Sequence, residues 1–214
     1  MIDQKLHREE IANTLTHGLG VVLAIGGGAV LITLTVIHAG VREIVSASVF
    51  VASLTILYSA STLYHAARHP RIRSRLKVLD HCAIFLLIAG TYTPFTIVAM
   101  RGGWGWSLFG VIWCLAVLGI VLKLFFTGRY KLLSTATYIG MGWLVLVAII
   151  PLVQALTPTA LGWLIAGGVL YTAGTIFYHN ERVPYSHAVW HLFVLAGSIC
   201  HFAAVTAQIA RPVT

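Results

Sequence analysis

Residues 105–125 read GWSLFGVIWCLAVLGIVLKLF, and eighteen residues pass before the first charge, Lys123. The hydrocarbon layer of a bilayer takes roughly 20 apolar residues of helix to cross. The run is too long for a barrel strand, and it lacks the apolar–polar alternation that such strands show. One membrane-spanning helix is therefore expected here.

Six more stretches of the same kind flank it, at about 17–37, 44–66, 79–100, 133–153, 160–179 and 186–209. The connections, 38–43, 67–78, 101–104, 126–132, 154–159 and 180–185, are short enough to join neighbouring antiparallel helices. Composition agrees. Of 214 residues 58% are hydrophobic and 9% charged, the mean hydropathy is +0.89, and a soluble domain carries about 25% charged residues. The fold class expected is an all-α integral membrane protein, a seven-transmembrane helix bundle over 17–209. An N-terminal segment, 1–16, precedes it and a short tail, 210–214, follows. Ile2, Leu6, Ile11 and Leu15 give the first segment one weakly apolar helical face, suited to the membrane surface. It lacks the layout of a cleavable signal peptide.

The charge of +8 reflects topology rather than nucleic-acid binding. The N-terminal segment and the second, fourth and sixth connections, together with Lys123 at the adjoining end of the fourth span, hold eleven Lys and Arg, and the opposite side holds three. Positive residues mark the cytoplasmic side, so the N-terminus is expected in the cytoplasm and the C-terminus outside, in the plasma (inner) membrane. The densest cluster, Arg68, Arg71, Arg73, Arg75 and Lys77, reads as a loop facing anionic head groups, with a plain topology signal as the blander reading. Gly26–Gly28, Gly140, Gly142, Gly167 and Gly168 are placed to let helices approach closely. Pro94, inside GTYTPF (90–95), predicts a kink whose freed backbone groups the neighbouring threonines recover. Cys82, Cys114 and Cys200 form no CxxC pair and read as small buried apolar residues.

With ten histidines, an HxxxH pair arises easily by chance, so His187 and His191 need support from position. Topology supplies it. His65 lies near the end of span 2, Asp80 in the first turn of span 3, and His187 and His191 in the first turns of span 7, all in one layer of the membrane. Ionisable groups at that depth persist mainly where they pair, ligate or react. His187 and His191 share a helical face, as do Ser61 and His65. Three imidazoles in a tetrahedral site leave the fourth position open, as in catalytic zinc sites. Zinc suits imidazole donors and brings the pKa of bound water to about 7. Asp80 is then the candidate general base, or else the cap of its helix. Ser61 is a candidate to polarise a carbonyl, or else bonds its own helix backbone. His7 and His69 read as solvated, His38 as outer-side, and His179 and His201 as polar packing groups.

Three patterns together resemble the hemolysin III branch of the progestin and adipoQ receptor family, within the wider alkaline-ceramidase-like group. They are Glu10-x2-Asn13-x3-His17; SASTLYHA (59–66) followed by DHCAIFLLIAGTYTPF (80–95); and PYSHAVWH (184–191). The resemblance covers essentially the whole chain. It implies zinc held by His65, His187 and His191, with Asp80 and Ser61 beside it, and a polar cluster of Glu10, Asn13 and His17 that does not ligate. It also implies membrane lipids as partners and ceramidase-like hydrolysis of a lipid amide or ester. A non-enzymatic membrane-homeostasis factor with a structural zinc, and a pore-forming cytolysin, stand as alternatives.

Overall fold

The computed structural model describes residues 2–180 and 182–209, so the tail 210–214 lies outside the described residues. Eight α-helices follow one another: α1 (Ile2–His38), α2 (Val41–Ala66), α3 (Pro70–Thr93), α4 (Gly102–Phe126), α5 (Lys131–Trp143), α6 (Ile149–Ala155), α7 (Pro158–His179) and α8 (Ser186–Ile209). Seven segments are long and apolar enough to cross a membrane, because α5 and α6 together make one of them. No strand occurs among the described residues. The protein is a seven-helix membrane bundle, as the apolar stretches predict.

α1 packs on α2, α2 on α3, α3 on α4, and α7 on α8, while α1 against α8 brings the two ends of the chain together. The third span is the central one: 72% of its most apolar window is buried, against 17% to 50% for the others. Outward-facing Val22, Phe125, Leu132 and Ile150 are at least 67% exposed, the surface expected of helices solvated by lipid tails. Burial alone does not drive association there, so close backbone approach matters more. Gly28 shows it, since a Cβ at that position would strike Val51 of α2. Gly27 and Gly167 are also packed closely, but Gly26, Gly140 and Gly142 have open space beside them, so the close-approach reading fails for those three.

Several boundaries differ from expectation. α1 runs unbroken from Ile2 into the first span, so Ile11 and Leu15, 45% and 67% exposed, belong to the spanning helix rather than to a separate surface helix. The connection expected over 67–78 shrinks to Ala67–His69, because Pro70 opens α3 and the basic residues continue it as helix. Proline is pre-set for a first helical position, and Lys and Arg are good helix formers. Beyond Thr93 the helix changes to a π-helix, Pro94–Met100, the form taken by the kink expected at Pro94. Thr93 and Thr96 donate to the Ala89 and Tyr92 carbonyls, each at 2.9 Å.

The fifth span, expected as one helix, is broken by a 3₁₀ segment, Leu144–Ala148. Gly142 weakens the helix before the break, and Pro151 removes an N–H that would bond the Val147 carbonyl. Tyr92 satisfies the backbone left open. Its hydroxyl accepts from the Val145 N–H at 2.9 Å and lies 2.9 Å from both the Met141 and Gly142 carbonyls. Irregular backbone at this depth persists only with such partners. Cys82 and Cys200 are buried as expected, whereas Cys114 is exposed on the outer face of α4.

Candidate metal centre

Four helices deliver polar side chains to one end of the bundle. The last turns of α2 carry Ser61 and His65, and the first turns of α8 carry His187 and His191. α3 contributes Asp80, and α1 contributes Glu10, Asn13, Thr16 and His17. His65 and His191 are 5% and 0% exposed, and His187 is half-buried. One ring nitrogen from each of these three histidines lies within 4.8 Å of the others, close enough for one metal ion. The ring centroids are 5.0 Å apart for His65–His187 and His65–His191, and 4.6 Å for His187–His191.

The second ring nitrogens explain the orientation. His65 Nδ1 lies 2.7 Å from Glu10 Oε2, while Arg73 donates to Glu10 Oε1 at 2.6 Å. His191 Nδ1 lies 3.2 Å from Thr16 Oγ1 and 3.3 Å from the Asn13 carbonyl. Each Nδ1 has an acceptor for its proton, and each Nε2 is buried with no partner. A carboxylate or carbonyl on one nitrogen fixes the tautomer that leaves the other free to ligate.

Asp80 is 8% exposed and stands beside Ser61 and His65. It lies ten residues beyond Pro70, where α3 begins, and therefore does not cap the helix. Ser61 Oγ is buried and bonds no carbonyl of its own helix, unlike Thr62, which donates to Tyr58. The backbone-bonding reading of Ser61 does not hold. His17 stacks on His191 with centroids 3.5 Å apart and planes 14° apart, and meets Tyr58 edge-on at 5.1 Å.

The remaining histidines lie elsewhere. His7 and His69 are exposed, His179 meets Thr135 at 3.0 Å, and His201 meets the Leu164 carbonyl at 3.2 Å. His81 bonds the Lys77 carbonyl of its own helix at 2.7 Å. Glu10, Asn13 and His17, expected as a polar cluster, sit directly against the histidines. The sequence places Arg73 only in the basic loop cluster and does not bring Thr16 to the site. The available signal for Arg73 is its spacing, since 73, 77, 80, 84 and 87 form one stripe once α3 starts at Pro70.

A cavity of about 480 Å³ opens beside the cluster and runs between α3, α5, α7 and α8. Asp80, His187 and His17 line its polar end; Leu87, Phe95, Leu152 and Leu164 line its apolar depth.

Fold and site together define a multi-pass helical membrane protein with a three-histidine cluster buried at one end of its bundle. The chain belongs to the haemolysin-III-related family, whose model matches residues 5–202. It is 47% identical to "Hemolysin-3" of Bacillus cereus over 198 residues, covering 92% of this chain and 90% of that protein. It is 27% identical to the human "Monocyte to macrophage differentiation factor" over 214 residues (96% and 87% covered). It is 25% identical to the "Adiponectin receptor protein" of Drosophila melanogaster over 225 residues (92% and 50%). These relatives bear out the resemblance read from the three motifs. No solved structure gives a significant match.

Proposed function

We propose that this protein is a zinc-dependent intramembrane hydrolase acting on an amide or ester bond of a membrane lipid. The observation that carries the reading is the pair of buried, partnerless Nε2 atoms of His65 and His191, with His187 beside them at the polar end of an apolar cavity. Three imidazoles, two with their far nitrogens already held, form a donor set suited to zinc. When bound there, zinc would supply Lewis acidity toward a carbonyl oxygen and a water molecule.

The chain's own residues divide the remaining work. The apolar depth of the cavity takes an acyl chain and brings the scissile bond to the histidine layer. Asp80 accepts a proton from the attacking water and returns it to the leaving nitrogen or oxygen. Ser61, free of its own helix backbone and beside Asp80, donates to the scissile carbonyl oxygen as negative charge develops. Glu10 and Thr16 hold the His65 and His191 rings. The bias of eleven basic residues to three supports a bundle oriented with this end toward the cytoplasm, in the inner membrane.

The test is a lipid-turnover screen on purified protein of known metal content. Hydrolysis lost together with zinc in His65→Ala supports the reading; lipid turnover that persists without zinc would overturn it.

A further inference from the structure

The cavity carries charge that the hydrolytic chemistry does not use. Lys77, Lys123 and Lys131 all line it near the end where Asp80 and His187 lie, and Asp80 is the one carboxylate among the described lining residues. Lys123 is 7% exposed although it belongs to a spanning helix. It donates to Ser134 of α5 and lies 5.8 Å from the centre of the Tyr138 ring. Lys77 Nζ reaches under the α4–α5 turn, 3.7 Å from the position a Cβ would take on Gly128, whose φ is +86°. Lys131 lies over the Tyr178 ring at 4.6 Å.

Topology does not account for this arrangement. A positive-inside signal needs basic residues on one side of the membrane, and exposed Arg71 and Arg75 suffice for that. It does not need an ammonium withdrawn from solvent. A lysine near a helix end ordinarily extends its stem to keep its charge in water. Among the described residues neither Lys77 nor Lys123 is in an ion pair. Lys123 offers one donor to Ser134 and retains two more. Ser134 and Thr135 add hydroxyls to the same wall.

We propose that Lys123 and Lys77, with Lys131 at the rim, form an anion site at the mouth of the cavity that holds the acidic head group, a carboxylate or phosphate, of a lipid whose acyl chain fills the apolar depth. This deepens the hydrolase reading by naming the substrate class for the same cavity. The cavity volume falls in the range of roughly 300–1,000 Å³ usual for one small ligand. Two ammonium groups on one oxyanion make charge-assisted hydrogen bonds, about twice as strong as neutral ones.

The experiment is equilibrium binding of radiolabelled palmitate to the purified full chain in maltoside micelles, with palmitoyl lysophosphatidic acid, monopalmitin and inorganic phosphate as competitors. Palmitate and lysophosphatidic acid should compete for one site. Lys123→Met should weaken both about tenfold or more, and Lys77→Gln and Lys131→Gln by smaller factors, about threefold. Monopalmitin binding should be unaltered in all three variants, which also reports that they are folded. If Lys123→Met does not fold, Lys77→Gln and Lys131→Gln decide. Unchanged acidic-lipid binding in every lysine variant overturns the proposal, and so does displacement of palmitate by millimolar phosphate, which would mark a site for a free anion. His65→Ala separates the two readings. Palmitate binding that survives there and still needs Lys123 supports the anion site whatever becomes of the hydrolase. Binding lost in His65→Ala but indifferent to the lysines assigns the carboxylate to the metal instead and removes the anion site.

Discussion

Glu10→Ala isolates the part of the site that only the structure reveals. Glu10 does not line the cavity; it holds His65 Nδ1 at 2.7 Å with one oxygen and Arg73 at 2.6 Å with the other. Its removal leaves the three donor nitrogens in the chain but frees the His65 ring to rotate and to take the other tautomer. Loss of such an outer partner typically weakens metal binding about 10- to 100-fold, or roughly 1.4–2.7 kcal/mol at about 1.4 kcal/mol per decade. The upper half of that range is expected here, because the lost bond is charge-assisted and His65 is 5% exposed. Glu10→Gln keeps an acceptor for the Nδ1 proton without the charge, and should fall within about tenfold of the parent. The assay is zinc affinity by competition with a chromophoric chelator, with thermal unfolding as the check on folding. A Glu10→Ala protein that is folded and binds zinc as tightly as the parent refutes the reasoning, for then His65 is held by packing alone.

Four further outcomes test other links. His191→Ala and His65→Ala should each lower zinc content from about one per chain to background on metal analysis, since a three-ligand site does not survive loss of a ligand. Asp80→Asn should keep the zinc and lower lipid turnover about 10²- to 10⁴-fold, the usual contribution of a general acid–base group; an unchanged rate removes Asp80 from the chemistry. Tyr92→Phe strands the Val145 N–H at the broken fifth span and should cost about 1–3 kcal/mol, read as a lower midpoint of thermal unfolding in detergent. Liposomes holding the pure protein should pass no more ions than empty ones; a steady conductance would favour the pore-forming alternative.

Much of the fold was legible because lipid demands one thing of a spanning helix, a long apolar run, and residues 105–122 state it without exception. The less legible features are those where a polar or helix-weakening residue has a tertiary partner. The fifth span looks continuous over 133–153, yet its break depends on Tyr92 arriving from another helix to satisfy Val145. Arg73 and Lys77 read as loop because charge is taken to end a span. Once Pro70 is seen to start the helix, they fall on the same stripe as Asp80 and face the site. The polar residues of 1–16 likewise look as if they belong outside the bundle, although Glu10 and Thr16 turn inward onto His65 and His191.

The distribution of buried polar atoms without partners bears on why these residues stay together. Among the described residues seven such side-chain atoms occur, and six belong to Asn13, His17, Ser61, His65 and His191; the seventh is on His201. Each costs about 1–3 kcal/mol when desolvated and unmet. Chance imperfections of packing would scatter along 214 residues, whereas these lie within one layer on three helices. The bundle satisfies irregular backbone elsewhere with care, at Tyr92 and at the threonines around Pro94. A cluster left open in such a structure is best understood as donors and acceptors held for something that enters from outside the chain. Its composition, imidazole nitrogens beside a hydroxyl and a carboxylate, matches a cation together with a polar substrate group better than either alone. Removing the cation should therefore destabilise the folded protein as well as silence it. With a chelator present, the thermal midpoint should fall in the parent and stay unchanged in His191→Ala, and equal shifts in both would place the metal somewhere else.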